Sequence, residues 1–255
     1  MDTRANNSRA MFPRGLAQSH PGSRFSLDPL LLASFATVKK DDRLLDLGTG
    51  CGVAALAALL AHETEIRAAL GLDIDPELIL AAGRNARLVG LADKFSGQCA
   101  DIRNIETAVG AESFSLVLAN PPYRAVGSGQ DCPDPARARA RSELHGTLED
   151  FLRAGAWGLS NRGRLGLVYP APRLAQVMDN CLKNRLQPKR LRLVHSRLDE
   201  PARLMLLEAV KNGGPGLSPE PPLILYQAGS SELTPEALAF CAFLRPNQGR
   251  PEPGV

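Results

Sequence analysis

The sequence predicts one α/β domain with a doubly wound, mostly parallel sheet of seven strands and an antiparallel C-terminal edge. Short apolar runs alternate with longer helical segments through most of the chain, and such alternation is typical of a parallel sheet covered by helices on both faces. Three of the early runs end in an acidic residue, and a fourth ends in Asn-Pro-Pro-Tyr. Because ligands bind at the carboxyl ends of strands in such sheets, these four run ends are candidates for a site.

Composition sets the class of protein before any motif is considered. The chain has 255 residues, 44% hydrophobic and 5% aromatic, which suits one domain with an ordinary core. A net charge of +3 is compatible with a nucleic-acid partner without requiring one. The five cysteines form no Cys-x-x-Cys pair and the four histidines are scattered, so we expect a reducing compartment and neither disulfides nor a metal. With no long apolar segment and no secretory signal, we expect a cytoplasmic protein.

The first 24 residues form a basic N-terminal arm, with arginines at 4, 9, 14 and 24 against a single acid. It is interpreted either as a disordered leader over residues 1–12 or as an arm that follows phosphates. The domain itself is predicted over residues 25–240. It begins with a helix that has Ser26 or Asp28 as N-cap and Pro29 in the first turn.

A buried strand over residues 42–47 runs into a glycine-rich turn, followed by an alanine- and leucine-rich helix. Glycine is needed where a ligand comes against the backbone, since a Cβ would obstruct it. The Gly-x-Gly-x-Gly spacing differs from the dinucleotide pattern, and the acid at the strand end would repel a pyrophosphate. This favours a cofactor that carries an ammonium group. The candidate cofactor residues here are Asp46, Gly48, Thr49, Gly50 and Gly52.

The second strand ends at Asp73, about 21 residues beyond the last glycine, which is close to the spacing of the carboxylate that binds ribose hydroxyls. Ile74 follows it as a further cofactor candidate. Asp75 is predicted to cap the next helix, with Pro76 in its first turn. A third strand over residues 94–99 ends near another acid, Asp101.

The fourth strand, residues 114–119, stops at Asn120-Pro121-Pro122-Tyr123. The prolines end the ladder of hydrogen bonds and leave carbonyls of the turn free for a ligand. An amide oxygen and an aromatic ring beside them are the groups that accept hydrogen bonds from an exocyclic NH2 and stack on its ring. The alternative interpretation is a proline-rich turn that only caps a core strand.

Asn-Pro-Pro-Tyr after a strand resembles the catalytic motif of S-adenosylmethionine-dependent methyltransferases that modify planar amino groups, such as adenine N6 or a glutamine amide. The resemblance implies that the Asn120 side chain and the Pro121 carbonyl accept hydrogen bonds from the amine. It also implies that Tyr123 stacks on the base, and it makes Pro122 part of the catalytic motif.

Within that class, the chain resembles the bacterial tRNA(Val) adenine-N6-methyltransferase family through residues 24–28, the Asn120 motif, the arginine-rich loop and the C-terminal strands. This implies the Rossmann-like class I fold over about residues 24–227, with S-adenosylmethionine as cofactor and S-adenosylhomocysteine as product. Phe25 and Asp28 would then lie against the cofactor. Asp101 would meet its adenine amine, with Ile102 and Asn120 also lining that site.

The loop after Tyr123 contains alternating arginines, which form either a solvated face or a set of phosphate contacts. The candidate RNA contacts are Arg124, Arg137, Arg139 and Arg141, with tRNA as the expected partner. A protein glutamine amide methyltransferase and a methyltransferase for a guanine exocyclic amine in rRNA are the rival enzymes. An RNA-binding protein that has lost the cofactor chemistry is the non-enzymatic alternative.

The C-terminal part is predicted to place two strands, residues 202–210 and 222–226, antiparallel to each other at the sheet edge. A second basic cluster, Arg185, Lys189, Arg190 and Arg192, is interpreted as a solvated face. Residues 241–255 are rich in proline and glycine, so we expect a disordered tail there.

Overall fold

A mostly parallel sheet organises the computed structural model, which describes residues 3–17, 26–122 and 146–247. Its strands are β1 (Asp42–Leu47), β2 (Ile66–Asp73), β3 (Phe95–Cys99), β4 (Phe114–Ala119), β5 (Leu159–Pro170), β6 (Leu186–His195), β7 (Ala202–Lys211), β8 (Ser218–Pro219) and β9 (Leu223–Ile224). Their order is β3-β2-β1-β4-β5-β7-β6-β8, with β9 also paired to β6. The first five strands are parallel, whereas β7 lies antiparallel between β5 and β6. The predicted mixed sheet is therefore confirmed, with two short strands added to the seven long ones.

Helices cover both faces of the sheet. They are α1 (Thr3–Met11), α2 (Asp28–Phe35), α3 (Val53–Ala61), α4 (Pro76–Leu88), α5 (Ile105–Ala108), α6 (Leu148–Gly158), α7 (Leu174–Lys183) and α8 (Pro235–Phe240). Short 3-10 turns follow β3, β5 and α8 at Ile102–Asn104, Ala171–Arg173 and Ala242–Asn247. In the part of the chain that the structure describes, none of these helices has the length and apolar character needed to cross a membrane.

The central strands are buried on both faces because alternate side chains enter two separate cores. Leu44 of β1 and Leu116 of β4 lie in the core beneath α2 and α3. Leu45 and Val117, one residue further along the same strands, lie in the core beneath α6 and α7. Burial on both sides explains why these strands appear in the sequence as unbroken apolar runs.

The predicted pairing of the two C-terminal strands with each other is wrong. β7 pairs with β5 and β6, while β9 pairs parallel with β6. The run Met205–Ala209 is buried and, apart from Glu208, apolar, which suits the position between two long strands. Leu223 instead follows Pro221 and Pro222, which have no amide hydrogen to donate, so only a two-residue strand forms there.

Both ends of the described chain carry short elements that pack on the core, α1 at Thr3–Met11 and the 3-10 turn at Ala242–Asn247, while disorder of the arm and of the tail stays a prediction. Phe12, just after α1, is 1% exposed and meets the Phe243 ring edge-to-face at a centroid distance of 5.3 Å. Leu244 is fully buried in the same core. Arg9 pairs with Glu63 at 2.7 Å instead of extending into solvent. The composition of the two chain ends does not predict these contacts, because each end contributes only a few apolar residues to the core.

Candidate active site

The register of the sheet brings the predicted strand ends to one level. Leu47 of β1 pairs with Leu72 of β2 on one side and with Ala119 of β4 on the other. The residues that follow these three are Gly48, Asp73 and Asn120. They therefore leave the same edge of the sheet side by side.

One cleft of about 210 Å³ at this edge gathers seven of the thirteen predicted site residues that the structure describes. It is lined by Gly48, Asp73, Ile74, Ala100, Asp101, Ile102, Asn120, Pro122 and Phe151. The other six do not line this cleft: Asp46, Thr49, Gly50, Gly52 and Pro121 belong to the strand ends and the turns that follow them, and Asp28 begins α2. The predictions for Phe25, Tyr123, Arg124, Arg137, Arg139 and Arg141 lie outside the described residues.

Glycine is required by conformation in the turn after β1. Gly48, Gly50 and Gly52 have φ values of 64°, 56° and 88°, in the left-handed region. A Cβ on Gly48 would also lie 3.0 Å from the Phe151 ring. A Cβ on Gly50 would meet nothing within 4 Å, so the backbone there borders open space. The turn thus leaves room for a ligand against its main chain.

Asp46 lies beneath this turn, with 2% of its surface exposed. Its Oδ2 accepts hydrogen bonds from the Thr49 hydroxyl at 2.7 Å and from the Ala55 amide at 3.2 Å. Burial is the main cause, and the nearby Asp73 charge a smaller one, that together raise the pKa of its carboxyl to about 7. In this structure Asp46 holds the turn and the start of α3 together, so direct binding of the cofactor by Asp46 stays a prediction.

Asp73 ties the same turn to β2. Its Oδ2 accepts the Gly50 amide at 2.9 Å and its Oδ1 accepts the Asp75 amide at 3.0 Å. The Asp73 carboxylate also lines the cleft, where a ligand would meet it. Asp75 accepts the Glu77 amide at 2.8 Å, which confirms its predicted role as the cap of α4.

Asp101 faces the cleft from the end of β3, where its carboxylate is engaged by Arg103. The hydrogen bond from the Arg103 side chain is the main reason that the pKa of Asp101 is lowered. Asp101 also caps the 3-10 turn by accepting the Arg103 amide at 2.9 Å. A ligand amine at this position would therefore share Asp101 with Arg103.

Asn120 is half-buried at the end of β4. Its side-chain amide forms no hydrogen bond with any described residue, so its oxygen is available to a ligand. Pro121 is buried, while Pro122 is exposed and lines the cleft. Both prolines lack an amide hydrogen, which is why the strand stops here.

At the start of α2 the structure differs from the predicted cap. Leu27 occupies the N-cap position with no side-chain cap, and Asp28 is the first helical residue, so the predicted Ser26 or Asp28 cap is wrong. Pro29 lies in the first turn as predicted. Burial raises the pKa of Asp28, while a hydrogen bond with Ser26 and the charge of Arg203 act in the opposite direction.

Two residues near the site escaped the sequence analysis. Phe151 of α6 is 2% exposed and borders the cleft beside Gly48. Its i, i+3 spacing from Leu148 indicates an inward position but does not identify the strand it meets. Asn85 of α4 is 1% exposed and donates to the carbonyls of Cys51 and Ala17 at 2.9 and 3.0 Å. No local pattern distinguishes Asn85 from an ordinary polar helix residue.

The second basic cluster is mostly engaged within the fold. Arg190 pairs with Glu220 at 2.7 Å and lies 4.4 Å above the Phe35 ring. Arg192 pairs with Glu236, and Lys189 donates to the carbonyl of Pro215 at 3.1 Å. The interpretation as a solvated face is therefore wrong for Arg190 and Arg192, whereas the Lys189 contact is exposed.

The strand order and the antiparallel β5-β7-β6 edge are those of the class I methyltransferase fold. A crystal structure of a predicted O-methyltransferase from Agrobacterium tumefaciens matches with a TM-score of 0.69 at 24% identity. The match covers 85% of this chain and 96% of the other. The chain therefore has the class I methyltransferase fold, which confirms the fold class predicted from the sequence.

Sequence comparison adds more particular relatives. The family described as Ribosomal protein L11 methyltransferase (PrmA) matches residues 18–121. A tRNA1(Val) (adenine(37)-N6)-methyltransferase of Mannheimia succiniciproducens is 36% identical over 56% of this chain and 57% of its own length. One of the same name from Parabacteroides distasonis is 29% identical over 71% of this chain and 74% of its own. The aligned part thus spans little more than half of the first of these relatives.

Proposed function

We propose that this protein transfers a methyl group from S-adenosylmethionine to an exocyclic amine of a nucleic-acid base, with adenine N6 in tRNA as the target. The observation that carries the proposal is that Asp73, Asp101 and Asn120 line one cleft. Carboxylates suit the hydroxyl and amine groups of a nucleoside cofactor, and the Asn120 amide suits a planar amine. The relatives named tRNA1(Val) (adenine(37)-N6)-methyltransferase support the choice of adenine.

The residues present fit this cofactor. The glycine turn leaves open space against the main chain at Gly50, and the Asp73 carboxylate, which binds the Gly50 amide, lines the cleft beside it. Ile74 and Ile102 offer apolar surface on the same cleft, next to the Asp101 carboxylate. We assign Asp73 to the ribose, Asp101 to the adenine amine, and the two isoleucines to the faces of the adenine ring.

When bound, S-adenosylmethionine supplies a methyl group activated by a sulfonium centre. The target amine is a poor nucleophile because its lone pair is delocalised into the ring. Hydrogen bonds from the amine to the Asn120 oxygen and the Pro121 carbonyl favour a tetrahedral nitrogen, which localises that lone pair. Positioning and electrostatics then provide most of the acceleration, and the amine proton leaves after transfer without a strong base.

The target nucleotide must leave its stack to reach Asn120, and an unpaired loop nucleotide does this at the lowest cost. Tyr123 follows Pro122 directly in the sequence, so we assign it to stacking on that base. We likewise assign Arg124, Arg137, Arg139 and Arg141 to RNA phosphates on the sequence pattern alone.

The decisive experiment is in vitro methylation of tRNA. Total tRNA from a strain lacking this gene is incubated with the purified protein and isotope-labelled S-adenosylmethionine, then digested to nucleosides and analysed by mass spectrometry. We expect label in N6-methyladenosine from the valine tRNA. Label in N2-methylguanosine, or none with any RNA, would contradict the proposed target.

A protein substrate is the second candidate, favoured by the match to the ribosomal protein L11 methyltransferase family. That match ends at Pro121 and so covers the cofactor half of the domain, which methyltransferases with different substrates share. The same labelled reaction with ribosomal proteins and release factors in place of tRNA tests it. Label on a glutamine amide would support the protein substrate.

A further inference from the structure

The edge of the sheet that carries Asn120 continues on the side away from the cofactor residues. Ala119 of β4 pairs with Leu167 of β5, and Pro170 of β5 pairs with Leu204 of β7. The 3-10 turn Ala171–Arg173 follows β5 directly and packs against β7. Arg203, which precedes Leu204 in β7, and the turn that contains Arg173 therefore lie at neighbouring positions of the same rim, beyond the level of Asn120.

Arg173 and Arg203 differ from neighbouring arginines in their ion pairing. Arg190, Arg192 and Arg197 all form ion pairs with glutamates. Among the described residues, neither Arg173 nor Arg203 forms an ion pair.

Only neutral acceptors are bonded to these two guanidinium groups within the described part of the chain. Arg173 donates to the Gln176 side chain at 3.0 Å, and Arg203 donates to the Ser196 hydroxyl at 3.4 Å. The positive charge of Arg203 acts to lower the pKa of the Asp28 carboxyl, but Asp28 is buried and forms no ion pair with Arg203. Two positive charges at the same rim are thus left without a bonded anion among the described residues.

We propose that Arg173 and Arg203 form a phosphate-binding pair that holds the RNA backbone next to the nucleotide whose base enters the cleft. This inference rests on the proposed function, since it takes Asn120 as the position of the target base. Arginine suits the role because its planar group donates two parallel hydrogen bonds to phosphate oxygens.

The spacing within the sheet fits such a contact. Arg203 lies two strands away from Asn120 and three residues further along, which corresponds to about 14 Å between Cα atoms. An arginine side chain and a nucleotide together span that gap. An RNA backbone bound at this rim would direct one base towards Asn120, while the neighbouring bases stay outside the cleft.

The test compares two double variants with the same loss of charge. Arg173→Gln/Arg203→Gln removes the pair, and Arg67→Gln/Arg162→Gln removes two exposed arginines near the amino ends of β2 and β5, at the opposite edge. Binding of fluorescently labelled tRNA is measured by anisotropy at several salt concentrations, and S-adenosylmethionine binding is measured by calorimetry.

We expect the rim variant to bind tRNA about tenfold more weakly and its salt dependence to fall by about one unit of slope per arginine. The control variant should stay within about twofold of wild type, as should cofactor affinity in both variants. Arg173→Lys/Arg203→Lys, which keeps the charge, should restore the salt slope.

Unchanged tRNA affinity and slope in the rim variant would overturn the inference, as would equal losses in the control or no tRNA binding by wild type. Failure of the proposed function is detected separately, by nucleoside analysis. If wild type makes no N6-methyladenosine while the rim variant still loses tRNA affinity, the result contradicts the proposed target but supports the phosphate-binding pair.

Discussion

Both carboxylate oxygens of Asp101 face the guanidinium of Arg103, with Nε 2.9 Å from each oxygen and Nη2 2.6 Å from Oδ2. The pair is largely exposed, so its own contribution to stability is small. It does, however, occupy the group that we assign to the cofactor adenine. Arg103 therefore competes with the adenine amine for Asp101.

Removing Arg103 should strengthen cofactor binding. In Arg103→Gln we expect the affinity for S-adenosylmethionine to rise by up to about fivefold. The reason is that the Asp101 carboxylate is no longer shared between the cofactor and an exposed ion pair. Asp101→Asn should lower the affinity, since a neutral amide is a weaker acceptor. Calorimetry measures both, with Arg153→Gln as a control on the neighbouring helix. Weaker binding in Arg103→Gln would mean that Arg103 itself contacts the cofactor.

Asp73→Asn should weaken cofactor binding more than any change at Asp101. Asp73 is 6% exposed, and a hydrogen bond to a charged group contributes roughly 1.5–3 kcal/mol, so we expect at least a tenfold loss. Asp75→Ala is the matched control, because it removes a helix cap two residues away and should cost only about 1 kcal/mol of stability. Equal cofactor affinities in the two variants would contradict the assignment of Asp73 to the ribose.

The buried carboxyl of Asp46 should make stability depend on pH. Its pKa is raised to about 7 in the folded protein from an ordinary value of 3.8. Between these values the unfolded chain releases a proton that the folded chain retains, so stability falls as pH rises from about 4 to 7. The slope of the free energy of unfolding is at most about 1.4 kcal/mol per pH unit.

Asp46→Asn is the variant that tests this slope. Both hydrogen bonds to Asp46 end on Oδ2, so the single carbonyl oxygen of asparagine can accept both. Urea unfolding at pH 4.5, 6 and 7.5 should show wild type losing stability relative to Asp46→Asn as pH rises. A constant difference between the two proteins would show that the carboxyl is ionised throughout this range.

The sequence predicted the acids and the Asn-Pro-Pro turn because each depends on local chemistry at a strand end. The pairing of β1 with β2 and with β4 then places Asp73 and Asn120 at the same edge of the sheet. Asp46 has a structural role that the spacing does not predict, since it holds the turn from below, and its binding of the cofactor stays a prediction. Whether a carboxylate faces a ligand or a backbone amide depends on how Thr49 and Ala55 fold over it, which spacing alone does not specify.

Contacts between residues far apart in the sequence cannot be predicted from local patterns. Phe12 and Phe243 are more than 200 residues apart, and each follows or precedes a stretch of polar and small residues. Their burial depends on the two ends of the chain reaching the same core. A single aromatic residue in a polar segment gives no periodic signal from which such a contact could be predicted.

Gly71→Ala should damage the cofactor turn from the neighbouring strand. A Cβ on Gly71 would lie 2.7 Å from the Thr49 hydroxyl, so Thr49 must move and its hydrogen bond to Asp46 is lost. We expect a loss of at least about 2 kcal/mol in the free energy of unfolding. Gly83→Ala in α4, where the nearest atom is 3.9 Å away, should instead raise stability by about 0.5–1 kcal/mol. Chemical denaturation of both proteins measures the difference, and equal effects would contradict the contact.

Asn120→Ala should abolish methyl transfer while leaving cofactor affinity within about threefold of wild type, because the amide acts on the target amine and not on the ribose or adenine. The side chain is half-buried and has no hydrogen-bond partner among the described residues, so its truncation should cost little stability. Asn120→Asp is the informative companion, since it keeps an acceptor oxygen and should retain more activity than the alanine variant. Single-turnover transfer to tRNA, with calorimetry for the cofactor, separates the two effects. Turnover near wild type in Asn120→Ala would remove Asn120 from the chemistry and leave only the cofactor half of the site in place.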